Sequence, residues 1–178
     1  MSGSLTPDTG DPSKALCDGI DELAWSQLTS VVTAVSNRDI ARFRRETQKW
    51  PAELQLPVQN RISLYLRVLF GYRTELVLGM RPSPDQLREY SSRIYPRFAT
   101  FLPLAQPVQL EETLRMCLNM APLTSKVSAG EFGAFAIVGL GVTVDRPDEQ
   151  LPEMRPIVAA WWQRNLAVIP KRLHLASE

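Results

Sequence analysis

Residues able to do chemistry are sparse in this chain, and their spacing narrows what they can do. There is one histidine, His174, four residues from the C-terminus. Acid–base catalysis and metal ligation both lean on imidazole, and a lone terminal histidine is a poor candidate for either. No catalytic residue and no metal site is therefore assigned. Cys17 and Cys117 lie far apart in sequence. Free thiols in a reducing cytoplasm are the expectation for both. No CxxC, HExxH, GxSxG or GxxxxGK[ST] pattern occurs, so no cofactor is implied. The stretch from Gly130 to Gly141 is rich in glycine, but it follows no strand in a βαβ setting. It reads as helix packing rather than a phosphate loop. Glu111 and Glu112 are adjacent, so on a helix they point about 100° apart. They cannot act together on one bond, and a solvated face is expected for them.

Arginine carries the remaining signals. Arg67 and Arg73 sit in the most apolar helical stretch of the chain, residues 57–80. An unpaired buried guanidinium is costly. Each must reach water along its stem, pair with a carboxylate such as Glu75, Glu89 or Glu112, or hold an anionic ligand. Asn60, Ser63, Arg67, Gly71 and Thr74 recur at helical spacing as a narrow polar seam on this stretch. Asn60, Ser63, Arg67 and Arg73 are the candidate ligand-binding residues. A second set, Arg38, Arg42, Arg45 and Lys49, is spaced 4, 3 and 4 apart with Arg44 beside it. It forms one cationic helix face, suited to an acidic protein surface, to phosphates or to the chain's own acidic N-terminus. No helix-turn-helix signature accompanies it, so sequence-specific DNA binding is not expected. Trp161 and Trp162 are neighbours and point to different sides of a helix. Trp161 is assigned to the core, and Trp162, partly exposed, joins the cationic face as a candidate partner contact.

The elements that must position these residues are all helical. Helix 57–80 spans roughly 36 Å at 1.5 Å per residue. Val58, Ile62, Tyr65, Leu69, Tyr72, Leu76 and Met80 fall on one side of it, flanked by Leu66, Phe70 and Val77, and it is expected to be the central helix. Before it, Asp18 or Asp21 can cap a helix that starts near Asp21 and carries Trp25, Leu28, Val31, Val32 and Val35, and a second helix covers about 38–49, ended by Pro51. After it, Ser83-Pro84-Asp85 opens a helix in which Pro96 should cause a kink or a break. Pro107 opens another, over 107–120. Ser128 and Glu131 form a capping-box pattern. It predicts a helix over 130–144, with a short strand as the alternative for its β-branched end, Ile137 to Val144. Gly130, Ala134 and Gly141 would share one face there. A last helix, about 152–168, buries Ile157, Trp161, Leu166 and Val168.

Composition fits one globular domain over 19–170 between an acidic tail, 1–18, and a C-terminal tail, 171–178. The net charge of +1 gives no general reason to expect nucleic acid or an acidic membrane. The distribution is uneven, with five acids against one base in residues 1–25 and twelve bases against six acids in 38–97. Sixteen arginines against four lysines fit a GC-rich bacterial genome. No secretory leader pattern is present, and no apolar run is long enough to span a bilayer, so a cytoplasmic protein is expected.

The fold class is all-α, a single-domain bundle of about seven helices. Pro57, Pro107 and Pro156 recur about every 50 residues at helix starts, so stacked αα-hairpins are an alternative arrangement. Function divides into three classes. The first is a non-enzymatic helical interaction or adaptor protein, homo-oligomeric. The second is a small-molecule-binding or sensor domain with a pocket beside helix 57–80. The third is an enzyme, or an enzyme component, with no readable motif.

Overall fold

Among the described residues the chain forms seven α-helices. They are α1 (Glu22–Ser36), α2 (Ile40–Glu53), α3 (Leu56–Leu78), α4 (Pro84–Phe101), α5 (Pro107–Cys117), α6 (Ala129–Thr143) and α7 (Pro147–Asn165). The computed structural model describes residues 20–53, 56–120, 123 and 127–165. The two expected tails, Cys17 and His174 lie outside the described residues. Among the described residues there is no strand, so the glycine-rich stretch is helical to Thr143. One contiguous core joins all seven helices.

Local chemistry sets most helix starts. The Asp21 carboxylate accepts the Ala24 N–H at 2.7 Å and opens α1. Capping boxes open α4 at Ser83 with Gln86 and α6 at Ser128 with Glu131. The prolines are less disruptive than their sequence positions suggest. Helix α2 continues through Pro51 to Glu53, and α4 continues through Pro96. Helix α7 starts at Pro147, earlier than expected, and contains Pro152 and Pro156. Pro96, Pro152 and Pro156 are all exposed. Each therefore frees a carbonyl one turn back on the solvent side, where water can satisfy it.

Helix α6 shares the central place expected of α3. It packs against α3, α1, α4 and α5, and Phe132, Phe135, Ala136, Ile137, Val138, Leu140 and Val142 are buried around its circumference. Its glycines explain how it fits. A Cβ placed on Gly139 would lie 2.5 Å from the Phe70 ring, and one on Gly141 would lie 2.5 Å from Cβ of Val35. Gly130 has nothing within 4 Å, so the close approach runs through Gly139 and Gly141 and not through the Gly130 end. Helix α3 is the second centre, flanked by α6, α1, α5 and α7. Its end outruns the bundle: Leu76 and Val77 in the last turn, and Met80 just beyond it, are exposed, contrary to the side assigned them from the sequence. Of the three hairpins in the alternative arrangement, α4–α5 is a packed pair, whereas α2 lies on α1, and α7 lies on α3 and α1.

The buried stripe of α7 is Leu151, Met154, Val158 and Trp162. It is offset by one position from the expected Ile157–Trp161 face. The spacing 3, 4, 4 satisfies helical periodicity equally well, and contact with α1 and α3 selects it. Trp162 is 3% exposed while Trp161 is only partly buried, which reverses the assignment made from the sequence.

Candidate functional sites

The polar seam of α3 does not form one site. Its residues are divided among an apolar groove, the helix interior and a polar cleft. Asn60 and Ser63 line the groove, a depression of about 540 Å³ whose other walls include Phe43 and Trp50 of α2, Leu56 of α3 and Gly133 and Ala134 of α6. Leu102, Gly130 and Ala134 are shared with an adjoining depression of about 420 Å³, which adds Leu104, Ala105 and Phe135. Together they make one groove over the N-terminal half of α6. The Trp50 indole N–H is buried with no hydrogen-bond partner. Further along the seam, a Cβ on Gly71 would meet the Cys117 carbonyl oxygen at 2.8 Å, so α3 and α5 touch backbone to backbone there. Thr74 is fully buried and donates to the Phe70 carbonyl at 2.8 Å.

Arg67 lines the polar cleft, about 480 Å³ between α3, the end of α5 and α7. Its Nη2 donates to Asn119 Oδ1 at 2.5 Å. Asn119 has φ of 54° and follows the C-terminus of α5. A cation is favoured there because the last carbonyls of a helix are electron-rich. Tyr72 and Glu75 continue the α3 wall, and Ile157, Trp161, Arg164 and Asn165 make the α7 wall. Cys117 closes the floor, and burial pushes its thiol up to about 12, with the Arg67 charge opposing. It is an inert core thiol.

Arg73 belongs elsewhere. Its Nε donates to the Thr143 carbonyl at 3.0 Å, at the C-terminal end of α6. The three carboxylates expected to meet Arg67 or Arg73 meet neither among the described residues. Glu112 instead accepts the Leu123 N–H at 2.6 Å.

The cationic set is also divided. Arg38 precedes α2, in the turn after α1, with φ of 59°. It lines a pit together with Arg97, Val35, Phe101 and Val142. Arg42 bonds Ser30 Oγ at 3.1 Å, and Arg44, Arg45 and Lys49 are exposed on α2. Trp162, buried, does not share a surface with them.

Two buried charge clusters escaped the reading of the sequence. Arg61 is 6% exposed. Its Nη1 lies 3.6 Å from Asp21 Oδ2, and its guanidinium carbon lies 5.0 Å from the centroid of the Trp162 ring. Tyr65 meets the same ring edge-on at 5.8 Å, and its hydroxyl accepts the Asp21 N–H at 3.1 Å. This cluster ties α1, α3 and α7 together. The signal for it was present, because Arg61 lies three residues after Val58 and four before Tyr65, both on the apolar side. The second cluster corrects the solvated face expected at Glu111–Glu112, which are 6% and 3% exposed. Glu111 pairs with Arg115 at 3.0 Å and lies 3.8 Å from Arg88. The long arginine stems reach back over α5 and bring the countercharge with them.

No family model matches the chain, and neither a curated protein nor a solved structure matches it. Among the described residues no three of His, Cys, Asp and Glu are grouped to hold a metal ion, and no helix is long and apolar enough to cross a membrane. The arrangement offers two surfaces with distinct chemistry, an apolar groove over α6 and a polar cleft beside Arg67.

Proposed function

We propose that the chain is a helical interaction protein that self-associates through the groove over α6. The observation that carries this reading is Leu104, 95% exposed in the turn between α4 and α5 and placed on the rim of that groove. Leu56, 67% exposed, also lines the groove. A knob and a hole on one face are self-complementary under a two-fold axis, so the leucine of each copy can enter the groove of the other. Gly130, Gly133 and Ala134 along the floor leave room for such a side chain. Apolar side chains this exposed beside an apolar depression mark an association surface more often than a bare one. The cationic face of α2 lies apart from the groove residues and takes no part in this contact.

The test is the oligomeric state of the full chain by size-exclusion chromatography with light scattering. The expected result is a dimer that Leu104→Asp converts to a monomer while the far-ultraviolet circular dichroism stays unchanged. Leu104 supports no core contact, so this variant folds. A monomer at every concentration, or a dimer indifferent to Leu104→Asp and Leu56→Asp, overturns the reading.

A further inference from the structure

From the cleft between α3, α5 and α7 we infer a binding site for a small planar molecule carrying an oxyanion, independent of the groove over α6. The two surfaces share no residue. At about 480 Å³ the cleft lies within the range of small-molecule sites.

Its donors are available. Arg67 uses one terminal nitrogen on Asn119. Arg164 uses only its Nε, on the Ala160 carbonyl one turn back at 3.1 Å. Neither guanidinium has a carboxylate partner among the described residues. Each can present a fork of N–H groups, the geometry that matches a carboxylate or a phosphate. Both guanidinium groups line the same cleft, one from α3 and one from α7. The hydrogen bond from Arg67 holds the Asn119 oxygen, which leaves its amide N–H₂ as a further donor in the cleft lining.

The rest of the cleft selects the body of the ligand. Trp161 and Tyr72 supply aromatic surface from opposite walls. Trp161 is the tryptophan that the core left partly open. Aromatic faces in a cleft favour a flat ring system. Glu75 stands eight residues beyond Arg67, about 12 Å further along the helix. It repels an anion at that end and accepts hydrogen bonds. The ligand therefore places its oxyanion at Arg67 and Arg164, its ring beside Trp161, and any N–H or O–H donor toward Glu75.

Isothermal titration calorimetry on the full chain tests this with three probes: adenosine monophosphate, indole-3-acetate and uncharged adenosine. The expected result is saturable binding of at least one oxyanion and none of adenosine. A response to the monophosphate alone assigns a phosphate ligand, and a response to indole-3-acetate alone assigns a carboxylate. Arg164→Gln should weaken binding by roughly tenfold or more, as loss of a charge-assisted hydrogen bond implies. Arg164 is exposed, so this variant keeps the fold, and Arg67→Gln provides the second arm. Silence with both oxyanions, adenosine binding as tightly as the monophosphate, or unchanged binding in both variants overturns the assignment.

Discussion

At the scale of single residues, the chain spends its ionisable groups on holding helices together. Arg61 is the clearest case. Buried against Asp21 and under the Trp162 ring, it neutralises the carboxylate that caps α1. Removing one partner of a buried pair leaves the other charge uncompensated, which costs more than the pair contributes. Arg61→Met is expected to lower stability by about 3 kcal/mol, read by urea unfolding. A loss under roughly 1 kcal/mol, the range of surface ion pairs, would show that solvent reaches the cluster. Arg67 is the contrasting case. It has a structural partner in Asn119, yet it faces an open cleft and keeps donors in hand. That difference in surroundings, not residue type, separates a structural arginine from a candidate binding arginine.

At the scale of elements, α6 decides the packing. A helix buried around its circumference needs small residues where its neighbours come closest, and here those are Gly139 and Gly141. Glycine inside a helix costs about 1 kcal/mol relative to alanine, so alanine is favoured wherever space permits. At Gly139 it does not, because the Phe70 ring is fully buried and has nowhere to move. Gly139→Ala should destabilise by about 1–3 kcal/mol through overpacking. Gly130→Ala, facing open space, should leave stability unchanged or slightly raised. Thermal unfolding of the two variants compares them directly, and equal melting temperatures would mean that α6 does not sit against Phe70. The capping box that starts α6 and its glycines were both legible in sequence. The neighbour of each glycine was not, since periodicity assigns a face without saying what lies across from it.

At the scale of the whole molecule, burial couples stability to pH. It raises the Tyr65 and Tyr90 hydroxyls above their ordinary value of 10.0 and the Cys117 thiol from 9.0 to about 12. In the unfolded chain these groups lose protons at their ordinary values, while the folded chain retains them. Above about pH 9 the unfolded state therefore binds fewer protons, and stability falls as pH rises. Below pH 9 the contribution is fully present. Urea unfolding at pH 8 and at pH 10.5 should show this fall, and Cys117→Ala should make it shallower. A flat profile would place all three groups in contact with water. The sequence by itself determined the all-α class, about seven helices, most of their starts and the presence of arginines on the most apolar stretch. These follow from caps, prolines and helical period, which act within a few residues. Tertiary structure alone decided that α6 shares the centre with α3, that Trp162 and not Trp161 is buried, that Glu111 and Glu112 are enclosed, and that the α3 seam is divided between a groove and a cleft. Each of those depends on which helix lies opposite. Neighbouring positions on an amphipathic helix differ by only about 100°, so the sequence leaves them close to equivalent until a partner helix chooses between them.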